Sequence, residues 1–184
     1  MARLTPVIVL VLLACALPAP QAASAYGPDR LLAPETACPH QTDSSRAISA
    51  QVKTMVCMHR YARRHAHRGG IHTVKKLRVS SNRKARDLRR CQDFSHTACG
   101  RDAFYWFRRV GYLTGSYGVG ENIALGSGEL GTARATMRAW LHSSGHRHTL
   151  LTARYDDLGI GMVRGTYQGY EGVQFWVAHF GYHH

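Results

Sequence analysis

The sequence is short of acid: only 11 Asp and Glu stand against 24 Lys and Arg, for a formal net charge of +13 with histidines neutral. Such a surface attracts polyanions outside a cell, among them wall polymers, anionic lipid headgroups and released nucleic acid, or simply keeps the chain soluble. No RNA- or DNA-binding motif accompanies the charge, so a specific nucleic-acid partner is not expected. Other signatures are missing too. Without C-x-x-C an intracellular zinc site has little support, and without H-E-x-x-H a zincin is excluded. There is no G-x-S-x-G elbow for a serine hydrolase. The apolar run over residues 7–17 (VIVLVLLACAL) is 11 residues long, against the about 20 that span a bilayer.

That run fits a leader instead. Arg3 supplies a positive start, and Ala23-Ser24-Ala25 forms a small-residue cleavage site, so residues 1–25 read as a secretory signal peptide cut after Ala25. A lipoprotein signal ending at Cys15 is the rival, but the later A-x-A and the long tail to Ala25 favour soluble secretion. The mature chain then has no transmembrane segment, and its charge is one lower than the whole chain's. Four cysteines remain, Cys38, Cys57, Cys91 and Cys99, and an even number after an export signal reads as two disulfides. Of the three pairings, Cys91–Cys99 is expected because the two closely flank residues 94–96. Cys38–Cys57 would then tie down an N-terminal arm.

The length suits one domain with a real core. Residues 26–42, with three prolines and no sustained period, form the arm, and residues 43–184 form the domain. A first helix is expected from an Asp43 or Ser44 cap, burying Ile48, Val52, Met55, Val56, His59 and Ala62, and ending at Gly69-Gly70. Residues 71–80 read as an extended linker, 82–90 as a short basic helix and 103–110 as an aromatic helix capped by Gly111. A strand over 119–125 precedes a helix capped by Thr132 and stopped by Gly145. Strands over 157–164 and 173–181 close the chain. In the last, Phe175, Val177 and His179 alternate with Trp176, Ala178 and Phe180, so both faces are apolar and the strand is central. The expected fold is therefore α+β, a three-layer α-β-α sandwich around a small antiparallel sheet.

Candidate chemistry gathers over residues 120–148, where Glu121 precedes an amphipathic helix and the His146-Arg147 pair, with His96 upstream in Phe94-Ser95-His96. A carboxylate and two imidazoles can form a metal site, an acid/base site or a hydrogen-bonded cluster. His142 and His148 flank the pair. His179, in the central strand, reads as a satisfied core histidine, and His183 with His184 as a frayed end.

FSH, then GENI, then AW-x-x-S-x-GHR, then LGIG, then W-x-x-H-F-G occur in an order and spacing similar to bacterial members of the CAP superfamily (cysteine-rich secretory proteins, antigen five and pathogenesis-related proteins). The resemblance covers residues 43–181. It implies an α-β-α sandwich, secretion and disulfides, and a cleft lined by two histidines and two acids. These fall on His96, Glu121 and His146, while the second acid falls on Ser143, so the tetrad is incomplete. Arg60 stands where relatives carry Asn in an N-x-x-R pattern ending at Arg63, and residues 80–90 look about two turns short.

Three functions stay open at this point. In the first, a secreted, non-enzymatic domain uses the cleft of His96, Glu121, Ser143 and His146 to bind a small ligand, a lipid or another cell-envelope component. A divalent cation such as zinc would be held by His96, His146 and Glu121. In the second, an extracellular hydrolase uses His96, Glu121 and His146, with Ser143 as nucleophile; against it, a helix C-terminus offers carbonyls, not oxyanion donors. In the third, an interaction module binds polyanions through its basic surface.

Overall fold

The computed structural model describes residues 27–183, so the expected leader, with Ala25 and Cys15, and the last residue, His184, lie outside the described residues. Four strands form one sheet: β1 (His72–Thr73), β2 (Tyr117–Gly126), β3 (Asp157–Tyr167) and β4 (Tyr170–His183), in the order β1-β3-β4-β2. β4 is interior, as its two apolar faces require. Trp176, Ala178 and Phe180 enter one core with Met55, Met58 and Trp140. Phe175 and Val177 enter a second with Ala85, Leu88 and Ile123.

Helices cover both faces, giving the three-layer sandwich. α1 (Ile48–His65), α4 (Ala133–His142) and α5 (Ser144–Leu151) lie on the Trp176 face, and α2 (Lys75–Arg90) and α3 (Tyr105–Arg109) on the other. The sheet is mixed, not purely antiparallel. β3 and β2 flank β4 antiparallel, but β1 pairs parallel with β3, because the two are far apart in sequence and no hairpin dictates their direction.

Several helices differ from expectation. α1 begins four residues after Ser44, because Asp43 accepts from the backbone and hydroxyl of Ser45 and so closes a local turn instead of capping a helix. Its core face is rotated: Gln51, Met55, Met58, His59, Ala62 and Arg63 are buried, while Ile48 is 39% exposed and Val52 and Val56 are half-buried. α2 starts at Lys75, not at residue 82, and is not stunted. Its inward stripe runs Leu77, Ser80, Ser81, Lys84, Ala85 and Leu88, and the polar members hide its period. It sits directly on β3 because Gly159 and Gly161 leave room; a Cβ on either would meet the backbone of Leu77 and Arg78 or of Ser81 and Asn82. Gly145 does not end the chain's helical run either. α4 stops at His142, Ser143 bridges, and Gly145-His146-Arg147 lies within the first turns of α5.

The disulfides are Cys38–Cys57, holding the arm to α1, and Cys91–Cys99, closing the loop after α2. Arg63 is a third tie. It is 1% exposed and donates to the carbonyls of Gly69, Leu150, Thr152 and Tyr155, joining the end of α1 to the end of α5 and the approach to β3. A buried guanidinium needs such saturation.

Candidate functional site: a carboxylate clamped by imidazoles

The site is built around Glu121 on β2, whose side chain is 5% exposed. An isolated carboxylate could not stay ionised there. Burial pushes its pKa up, but hydrogen bonds from His179 and His96, followed by the charges of His179 and Lys84, outweigh burial and hold it at about 2. His96 Nδ1 lies 2.7 Å from Oε1 and His179 Nε2 lies 2.8 Å from Oε2, so each carboxylate oxygen has one imidazole donor.

Each partner has a cause in the fold. In the antiparallel register Glu121 stands directly opposite His179, so a cross-strand pair is imposed. His179 is fully buried, stacks on Phe107 of α3 at 4.2 Å, and its Nδ1 lies 2.7 Å from Ser80 Oγ on α2. His96 arrives on the loop closed by Cys91–Cys99. Lys84 Nζ fixes that loop by donating to the His96 carbonyl at 2.6 Å, and it lies 3.9 Å from Glu121 Oε1. Burial pulls Lys84 below its ordinary pKa, with the attraction of Glu121 opposing.

His146 occupies the other side of β2. Asn122 faces away from Glu121 by strand alternation, and its Nδ2 donates to the His146 carbonyl, anchoring the start of α5 to the sheet. The His146 ring makes no hydrogen bond among the described residues; burial first, and the charge of His96 second, hold its pKa below the usual histidine range. The two imidazoles therefore come from opposite layers of the sandwich, His96 from the loop after α2 and His146 from α5. His96 is the open group, 52% exposed, and its Nε2 remains once Nδ1 serves Glu121.

Of the residues singled out in sequence, His96 and Glu121 thus meet, while His146 is near His96 without touching Glu121. Among the described residues no three His, Cys, Asp or Glu side chains are grouped to hold a metal ion. Ser143 is the hinge between α4 and α5, bonded through its backbone. The serine that does meet an imidazole is Ser80, which is 0% exposed and closed to any substrate. His142 pairs with Asp29 at 2.9 Å and His183 with Asp157 at 3.2 Å, so neither extends the site. Sequence reasoning missed Lys84 and the role of His179. The register would have found His179, but Lys84 stands among many basic residues with no local sign of its burial.

Residues 75–180 match the family model described as Cysteine-rich secretory protein family. No curated protein matches the chain by sequence. Among solved structures, an outer surface protein from Borrelia burgdorferi is similar with a TM-score of 0.63 at 17% identity, over 76% of this chain and 97% of that one. An extracellular protein containing a SCP domain from Bacillus anthracis gives 0.59 at 20% identity, over 72% of this chain and 40% of that one. A cysteine-rich secretory protein from Staphylococcus aureus gives 0.52 at 15%, over 72% and 38%. This chain thus spans about two fifths of the Bacillus and Staphylococcus proteins, and at these identities the likeness is one of fold.

Proposed function

Since the chain belongs to the cysteine-rich secretory protein family, we propose that it works outside the cell as a non-enzymatic binding domain, with the edge of β2 between His96 and His146 as its ligand cleft. The observation that carries this reading is the saturation of Glu121. Both oxygens are taken by imidazoles and the group stays ionised to about pH 2, so near neutral pH it has no proton to give and little capacity to accept one. Its work is to orient His96, turning Nε2 outward.

The ligand that suits two imidazoles is a divalent cation such as zinc, taken by His96 Nε2 and His146, or a small ligand that accepts hydrogen bonds from the same rings. The donor set fits in one respect: a carboxylate behind a histidine fixes its tautomer, a common arrangement around bound metals. A neutral His146, favoured by burial, is the ligating form. Two protein donors instead of three imply weak, exchangeable binding, with Glu121 as support and not as ligand.

Calorimetric titration of the mature protein with zinc tests this. A single site is expected, lost in both His96→Ala and His146→Ala and weakened by about tenfold in Glu121→Gln. Zinc uptake unchanged in both alanine variants, or none in the parent protein, removes the cation reading.

A further inference from the structure

Away from the cleft, four surface depressions join end to end through shared residues, and none has an acidic residue in its lining among the described residues. The first holds Arg147 and His148 of α5 and meets the second at Arg68. The second meets the third at Arg60 and Arg64 of α1. The third, a groove of about 690 Å³, adds Lys53 and meets the fourth at Arg78 and Asn82 of α2, where Arg83 and Arg86 follow. Lys53, Arg64, Arg68, Arg78 and Arg86 are exposed and make no ion pair with an acid among the described residues.

We propose that this track is a binding surface for a linear acidic polysaccharide, lying from α5 across α1 to α2. Two features choose that partner among polyanions. The track contains no Phe, Tyr or Trp, so it offers no platform for stacking nucleobases, the usual grip on single-stranded nucleic acid. Its floor between the cations is aliphatic instead: Ile48, Val52, Val56 and Ile160 in the central groove and Leu151 in the first depression. Charges separated by weakly apolar units match a chain of sugar rings, whose C–H faces rest on such a floor while their carboxylates reach the guanidinium forks. The rotation of α1 is what creates the floor, since Ile48, Val52 and Val56 form one i, i+4 row at the margin of the core, half-covered by it at Val52 and Val56 and continued by Arg60 and Arg64.

The test compares two variants of equal net charge, Arg64→Gln/Arg78→Gln on the track and Arg30→Gln/Arg109→Gln off it. Binding to polygalacturonate oligomers is measured across salt concentrations, with oligo(dT) of matched charge as competitor. The on-track pair is expected to lose at least tenfold in affinity and to lower the salt slope by about two, while the off-track pair loses less than threefold. All four positions are exposed, and an unchanged thermal midpoint verifies folding in both variants. Equal losses in the two variants, no binding by the parent protein, or tighter binding of oligo(dT) would each overturn the proposal.

Discussion

At the scale of single residues, two buried groups each exclude a proton that the unfolded chain would take up, one to stay neutral and the other to stay charged. His59 on α1 is fully buried against Trp140 and Phe180, its Nδ1 bonded to the Met55 carbonyl and its Nε2 without a partner among the described residues. Burial pushes its pKa down to about 4, so the folded chain keeps it neutral while the unfolded chain protonates it below about 6.5. Stability is therefore complete above pH 6.5 and falls by about 3 kcal/mol as pH drops to 4. Glu121, held at about 2, adds a loss of similar size as pH drops from about 4.5 to 2. Thermal midpoints measured from pH 7 to pH 4 should fall in the parent protein and stay flatter in His59→Phe; parallel curves would count against the assignment. His59 was legible in sequence as a core residue of α1. Its orphaned nitrogen was not, because that depends on which rings of α4 and β4 surround it.

At the scale of elements, the α2–β3 contact depends on two missing methyl groups. Gly161→Ala should destabilise the fold by roughly 3 kcal/mol or more, since helix backbone cannot step aside as a side chain can. Chemical denaturation reads this directly, and a change below about 1 kcal/mol would show that the helix floats on the sheet. The same contact explains what sequence patterns missed. LGIG was visible as a motif, but nothing local said that a helix lay across it. The polar inward stripe of α2 concealed the helix over residues 75–81. Conversely, β4, the Thr132 cap and both cysteine pairs were legible because each rests on short-range signals: alternation, a side-chain acceptor for Ala135, and an even number of cysteines. The candidate site was half legible. His96 and Glu121 stood in recognisable segments, whereas His179 needed the strand register and Lys84 the packing of α2.

At the scale of the whole molecule, a net charge of +13 on one domain opposes compactness. Raising salt at pH 7 from about 10 mM to about 500 mM, across a Debye length that shrinks from about 30 Å to a few ångströms, should raise the thermal midpoint by several degrees. A midpoint that falls with salt would mean that the surface ion pairs, such as Arg108 with Asp102, outweigh the repulsion. The clamp on Glu121 lies inside the protein and should respond far less than the exposed pairs.

The candidate site's two sides do not share one rigidity. His179 belongs to the interior strand β4, and Glu121 to the edge strand β2 that is paired with β4 along its whole length, so both are held by the sheet's hydrogen bonds. His96 rides a short loop secured by a disulfide, one lysine bond and its own grip on the carboxylate. The site thus joins one wall fixed by the sheet to one side chain held as if by a spring: breaking the His96–Glu121 bond would release the tip of the loop and leave the pairing of β2 with β4 intact.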